Sequence, residues 1–553
     1  MSITGGQLLV NSLIEHGVKD IFMIPGIQLD WAVEALRQAG DKVNLFVPRH
    51  EQSTTYMADG YYRASGKFGT AMVVPGPGAL NAGAGLATAY SANSKVLFIT
   101  PQICSAGLGR GYGLLHEIKD QTGYLRGLTK WSTLVQSAAA IPGAIGSAVA
   151  AMQHGRGRPV GVEIPHDFLN TRVEQALPAA GEQEALPGLD RNALDAAARL
   201  LDQARFPVIY IGGGVVAADT GLAVMALAER IGAPVVMSDN ARGAVSDRHP
   251  LAMHALAGRA VFEHADVVLV AGSRFIDSLF PTQSWPGAGI RTIHLNIDRD
   301  DLSPPRQPEV ALLGDVGDGL RELTSRVAKR SALSLAEAQS VKDWAQLQID
   351  AVSPQAAYVA EMRAALPEDG IFVNELTQVG YLARIAFPLY QSRTYIGPGY
   401  QGALGYGFPT ALGAAVAAGG RRVLSITGDG GFGWNLQELA TAKRYRLPVT
   451  VVVFNDGYYG NVRAIQKREF GAEVAVELAN PDFLLLGKAF GVPAVSVDSP
   501  AGLGAAIKAS LAEPGPVLIE VKLGEMPSPW HLLRLLPMKG AVGPAAPANP
   551  LKR

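Results

Sequence analysis

Two short apolar runs, residues 423–427 and 449–454, bracket a segment whose apolar residues Leu436, Leu439 and Ala440 fall at helical spacing. Continuous runs of this length read as buried strands and the interval as a helix, predicted over 435–446. A strand–helix–strand unit makes its strands parallel, so both carboxyl ends reach one edge of a sheet. The same alternation fills residues 1 to about 170, with helical patterns at 7–16 and 52–65 and strands at 21–23, 70–74 and 96–100. A second α/β block carries strands in "PVIYIGGG", "PVVMSD", "VVLVAGSRF" and "TIHLNID". The stretch "EQALPAAGEQEALPGLD" (174–190) has no apolar period and reads as a linker, and 326–350 reads as a helical one. The end, "PMKGAVGPAAPANPLKR", is too rich in proline for a core and is predicted to be loose or ordered only on closure. The expected fold class is α/β, with three doubly wound parallel-sheet domains at 1–172, 190–328 and 350–527, then a tail at 528–553.

Length supports that division, because 553 residues exceed what one core accommodates. A composition of 48% hydrophobic and 18% charged residues is that of a globular protein. A net charge of −1 offers no basic field for nucleic acid and no basic helix for a membrane. A single cysteine, Cys104, excludes an internal disulfide framework and fits a reducing compartment. With no basic n-region at the start and no apolar stretch of membrane-spanning length, a cytoplasmic location is expected.

The first strand of the opening unit runs into "GDGG" (428–431), which contains Asp429, and Asp456 follows the second. A glycine-rich turn before a helix lets backbone N–H groups face a phosphate, yet a carboxylate there repels one. A divalent cation resolves the conflict, since Mg²⁺ takes carboxylate and phosphate oxygens together. The bland alternative is a plain Asp-Gly turn, which does not account for a second polar pair at the next strand end. No Walker glycine–lysine loop occurs, so ATP is a poor candidate.

Gly-Asp-Gly followed about thirty residues later by an Asn-containing pair resembles the signature of thiamine diphosphate enzymes. The words "GDGGFGWNLQELATAKRYRLPV" and "NPDFLLLGKAFG" are similar to the acetolactate synthase-like (acetohydroxyacid synthase) family, over nearly the whole chain. The resemblance implies a pyrimidine-binding first domain, a central Rossmann-like domain and a diphosphate- and Mg²⁺-binding third domain. It implies magnesium ligands at Asp429, Asp456 and the backbone carbonyl of Tyr458, with Gly428, Gly430, Gly431 and Tyr458 around the diphosphate. An asparagine is usual at the second ligand position, so Asn455 stays open as an alternative to Asp456.

The stretch "PRHEQSTTYMADGYYRASGKFG" resembles the family's glutamate segment, in which the glutamate contacts the aminopyrimidine ring of the cofactor. Glu51 is then the residue that exchanges a proton with that ring; alone, it reads as an ordinary helix N-terminal charge. In "VVPGPGALNAGAGLATAY", Pro75, Gly76 and Asn81 match pyrimidine-lining positions. In "GYQGALGYGFPTALGA", Leu404 matches the apolar wedge under the two rings, and the carbonyl of Gly402 the acceptor for the exocyclic amine.

The substrate side matches less closely. Family carboligases carry a glutamine on the loop before "TKW", where this chain has His116 and Glu117; a simple alignment puts Glu117 at the glutamine, and both are catalytic candidates against a plain solvated helix start. Ile465 stands where biosynthetic members have tryptophan, which argues against the branched-chain biosynthetic enzyme. "GGGVVA" (212–217) is a partial dinucleotide fingerprint, and "AGSRF" and "LNID" resemble FAD segments, but "AMHA" replaces the usual Gly-Met-His-Gly. FAD is carried as an alternative occupant, and a protein with little bound flavin is expected.

The first reading is thus an acetolactate synthase-like carboligase acting on a 2-keto acid or acyloin-type substrate with thiamine diphosphate and Mg²⁺. A 2-keto acid decarboxylase or C–C lyase is the runner-up. A catalytically silent cofactor-binding paralog is the reading from another class, opposed by the intact Glu51, Asp429 and Gly428–Gly431 turn. The resemblance implies a homodimer or homotetramer with active sites shared between subunits.

Overall fold

The computed structural model describes residues 2–174, 188–285, 287, 289–538 and 540–552, so most of the 174–190 linker lies outside the described residues. Three six-stranded sheets, all parallel, carry the described chain. The first lies in the order Asn44–Phe46, Asp20–Met23, Gly69–Met72, Val96–Gln102, Val160–Pro165, Trp131–Leu134. The third lies in the order Tyr395–Ile396, Ile371–Asn374, Val423–Gly428, Val449–Asn455, Val517–Lys522, Ala494–Val497. Counted along the chain, both follow one rule: second, first, third, fourth, sixth, fifth. The central sheet instead runs third, second, first, fourth, fifth, sixth, the order of dinucleotide-binding folds. In each case the order reverses beside the first strand, and the crevice outside the carboxyl ends there is where such sheets bind ligands.

The strands form because their runs are buried on both faces; Val423–Gly428, for instance, is buried at every residue before Gly428. Helix Glu51–Ser65 begins where the His50 ring accepts from the Gln52 N–H, and ends at Gly66 in the left-handed conformation. It packs against helix Gly407–Ala417 with the two backbones in near contact. A Cβ on Gly60 would lie 2.0 Å from the Thr410 carbonyl oxygen, and one on Gly413 would lie 1.9 Å from that of Met57. These glycines join the first and third sheets into one apolar core that includes Met57, Ala58, Phe408 and Ala411.

Two expectations differ from the structure. The predicted helix at 435–446 is present with shorter bounds, as a tight turn, Leu436–Glu438, running directly into helix Leu439–Arg444. The tail at 528–553 is anchored at its start and at Leu551, although 542–548 of the proline-rich stretch stays exposed. Leu532, Leu533, Leu535 and Leu551 are buried in the core of the central sheet, beside the helix Leu335–Asp350 that precedes the third sheet. Side chains satisfy the irregular backbone of the tail at several points. Arg259 donates to the carbonyls of Arg534 (2.8 Å) and His531 (2.9 Å), and Trp344 to that of Pro547 (3.0 Å). Trp530 bolts the segment to the third domain, donating to Asn461 Oδ1 at 2.8 Å and packing 4.9 Å from the Tyr381 ring.

Leu533→Ala tests that attachment. Losing a fully buried leucine costs about 2–4 kcal/mol, visible as a lower chemical-denaturation midpoint. A wild-type midpoint would mean that the segment adds nothing to the core.

Candidate active site

Strands Val423–Gly428 and Val449–Asn455 are direct parallel neighbours with Gly428 opposite Phe454. The chain therefore delivers Asp429 and Asp456 side by side at the carboxyl edge. Asp429 Oδ2 accepts from the Gly457 N–H at 2.9 Å and from Asn480 Nδ2 at 2.6 Å, and burial holds its carboxyl above the ordinary range. Asp456 is pushed up to about 6, first by burial and then by the charge of Asp429. Its Oδ1 accepts from the Tyr458 N–H at 3.0 Å. Asn455 is committed elsewhere, donating to Glu520 at 2.7 Å and accepting from Asn480 at 3.0 Å. Of the two alternatives for the second position, Asp456 feels the charge of Asp429 directly, whereas Asn455 is linked to it through Asn480.

This donor set fits a hard divalent cation. Two carboxylates sit together against their own repulsion, and among the described residues no third His, Cys, Asp or Glu joins them. Backbone carbonyl, water and phosphate oxygens would complete the shell, as Mg²⁺ prefers. The turn beside them is closed from below: a Cβ on Gly430 would lie 2.7 Å from the Tyr459 ring, and one on Gly431 2.2 Å from Glu375 Oε1. Gln378, at the start of helix Gln378–Ala386, lines a small cavity with Asp456 and Gly460, and its Oε1 has no hydrogen-bond partner.

Leu404 projects from a loop whose flanks, Gly402 (φ +56°) and Gly405 (φ +79°), are both left-handed, a conformation glycine adopts without penalty. A large apolar side chain 42% exposed at such a point has a face free to take a ligand. Asn435 ties this loop to the glutamate helix. Its Nδ2 donates to the Gly405 carbonyl at 2.6 Å and its Oδ1 accepts from Gln52 Nε2 at 2.9 Å. Glu438, fully buried, accepts from the Arg49 N–H at 3.1 Å and from the Ser53 hydroxyl at 2.8 Å.

Glu51 is the first residue of its helix, and its Oε2 accepts from Asn81 Nδ2 at 3.0 Å. Asn81 stands on helix Pro77–Ala92, whose cap Gly76 is left-handed at φ +59° and follows the buried Pro75. The Gly76 N–H donates to Gln121 Oε1 at 2.8 Å, while Gln121 Nε2 donates to the buried Glu163 at 3.0 Å. A Cβ on Gly76 would meet the His116 carbonyl oxygen at 2.3 Å, so the 116–117 loop closes over the same corner.

That loop is irregular; the next helix, Gln121–Leu128, starts beyond it. His116 has φ +66°, a strained value for this residue, and its Nδ1 lies 2.6 Å from Gln28 Oε1. Glu117 turns back to accept from the Leu114 N–H at 2.8 Å, a local cap rather than a free carboxylate. Gln28, Gln121, Glu375, Gln378, Asn435, Glu438 and Asn480 were not singled out from the sequence. Asn480 lies in the quoted "NPDF" word, but nothing local announces that it reaches back to Asp429.

Three family profiles match the chain: the thiamine pyrophosphate enzyme N-terminal TPP-binding domain over residues 3–123, its central domain over 194–323, and its C-terminal TPP-binding domain over 377–521. A probable 2-ketoarginine decarboxylase of Pseudomonas aeruginosa is 34% identical over 531 residues, 94% of each chain. The acetolactate synthase isozyme 1 large subunit of Escherichia coli is 30% identical, again over 94% of each. A probable acetolactate synthase large subunit of Methanocaldococcus jannaschii is 30% identical over 97% of this chain and 94% of its own.

The repulsion between the paired carboxylates has a thermal signature. In metal-free protein Asp456 holds its proton to about pH 6 instead of 3.8, so ionising it opposes folding as pH rises through that window. Asp456→Asn removes the charge and should raise the melting temperature at pH 7 by a few degrees in EDTA. The gain should fade as pH drops from 6 toward 4, where the native carboxyl is protonated. An equal gain at pH 7 and pH 4 would show that repulsion is not its source.

Proposed function

The chain belongs to the thiamine pyrophosphate enzymes, in their acetolactate synthase-like group, and from that premise we propose that it cleaves the bond beside the carbonyl of a 2-keto acid and joins the fragment to a second carbonyl compound. The observation that carries this reading is the Asp429–Asp456 pair at neighbouring strand ends, beside a glycine turn backed by Glu375. When bound, thiamine diphosphate supplies an acidic carbon that serves as an electron sink for the cleaved bond.

Asp429, Asp456 and the Tyr458 carbonyl hold Mg²⁺, and Gly428, Gly430 and Gly431 admit the diphosphate. Leu404 supports the rings from its left-handed loop, with the Gly402 carbonyl beside it. Pro75, Gly76 and Asn81 form the opposite wall. Glu51, oriented by Asn81, donates and recovers a proton at the pyrimidine ring, a role worth about 10²–10⁴-fold in rate. The incomplete fingerprints of the central domain keep flavin out of the proposal. Among the described residues no helix is long and apolar enough to cross a membrane.

The wall is built from two copies of the chain. Leu80 (46% exposed) and Trp434 (55%) lie beside Asn81 and Asn435 on opposite halves of the site, and a two-fold partner would cover both. Glu51 of one subunit then works with Asp429 of the other.

A second reading, simple decarboxylation with a proton as the acceptor, is favoured by His116. It is an imidazole held by Gln28 on the loop where carboligases carry a glutamine. The decarboxylase name of the Pseudomonas relative supports the same reading.

Glu51→Gln and Asp429→Ala should each be inactive, and mixed subunits should regain activity, because one hybrid site carries both intact residues. Hybrids that stay dead would place each site within one chain. A donor panel of pyruvate, 2-ketobutyrate, benzoylformate, glyoxylate and 2-ketoarginine, with product analysis, separates the readings. Acyloin or acetohydroxy acid products support ligation, and aldehyde alone supports decarboxylation. In the same assay His116→Gln should shift the ratio of ligated product to aldehyde several-fold without changing cofactor affinity. An unchanged ratio would remove His116 from acceptor choice.

A further inference from the structure

Glu375 follows strand Ile371–Asn374, beside the point where the order of the third sheet reverses. It is 1% exposed, and burial pushes its carboxyl up to about 7. Such a group persists only when its oxygens are well used. Oε1 accepts from the Gly405 N–H at 2.7 Å and Oε2 from the Gly407 N–H at 3.1 Å. Gly405 closes the loop that carries Leu404, and Gly407 opens the helix that packs on the glutamate helix.

The same carboxylate touches the turn below. A Cβ on Gly431 would lie 2.2 Å from Oε1, and one on Gly407 would lie 2.6 Å from Oε2. Both glycines leave room for Glu375, which is wedged between the turn beside the metal pair and the loop of Leu404.

We propose that Glu375 is a positioning residue that sets the height of Leu404 above the Gly428–Gly431 turn, and so the gap into which the rings of the bound cofactor fit. This rests on the reading that the Leu404 loop takes those rings. The chemistry explains why an acid stands there. Two backbone N–H groups converge from one side, and only a carboxylate offers an acceptor to each. An amide of the same shape has one oxygen and one NH₂, so one of the two N–H groups would face another donor and the loop would have to lift.

The test separates ring binding from diphosphate binding. Apo-protein with Mg²⁺ is titrated calorimetrically with thiamine diphosphate and, separately, with inorganic pyrophosphate, which meets only the cation and the turn. Glu375→Gln should weaken thiamine diphosphate about tenfold, the consequence of one unmade buried hydrogen bond, and leave pyrophosphate at its wild-type affinity. Leu404→Ala should reproduce this split. Equal losses for both probes would mean general damage to the turn, and no loss for either would mean no role; each overturns the proposal. So does a Leu404→Ala protein that binds like wild type. A wild-type protein that fails to bind thiamine diphosphate overturns the cofactor reading itself, and this proposal with it. Should Glu375→Gln fail to fold, hydrogen exchange on the wild type decides. The Gly405 and Gly407 amides should exchange far more slowly than those of Ala403 and Leu404, and equal rates would show that no clamp exists.

Discussion

The near contact of two helix backbones at Gly60 and Gly413 is the constraint that fixes the two half-sites of one chain against each other. Only glycine permits that approach, since any Cβ at either position would collide with a carbonyl oxygen across the gap. The contact fixes the start of helix Glu51–Ser65 relative to helix Gly407–Ala417. Asn435 and Glu438 can then reach the residues around Glu51, while Glu375 grips the start of the second helix. Within one chain, one continuous path of short contacts runs from Gln52, beside Glu51, through Asn435 to the Gly405 end of the Leu404 loop. The two half-sites that the chain contributes are thus held at a fixed relation.

Burial raises the carboxyls of Asp59, Glu163, Glu375, Asp429, Glu438 and Asp456 alike, so a raised value alone does not identify chemistry here. Their compensation distinguishes them. Asp59 has Arg63 and Ser94, Glu438 has Thr441 and Ser53, and Glu375 has its N–H groups. Asp456 differs from these in that its next-largest influence after burial is a like charge, that of Asp429.

The alternation of apolar runs and helical spacing made the three parallel sheets legible, because period and run length are local properties. Glu51, Asp429 and Leu404 could be singled out as candidates through short words that keep their spacing. Asn480, Gln121 and Glu375 were not, since each acts through contacts made by the fold, such as Asn480 with Asp429 across fifty-one positions. The end of the chain misled for a related reason. Its prolines and glycines dominate the composition, whereas its fate is decided by a few leucines and by Arg259, far away in sequence.

Those leucines have a consequence for biosynthesis. Leu313 ends the central sheet, yet Leu532, Leu533 and Leu535, which help to fill its core, leave the ribosome only after the whole third sheet has been made. The middle domain therefore emerges with an unfilled apolar cleft and must wait for it to be filled. Nascent chains of this protein should spend that interval as clients of chaperones that shield exposed apolar surface, and premature termination within the final segment would release a chain whose central core is open.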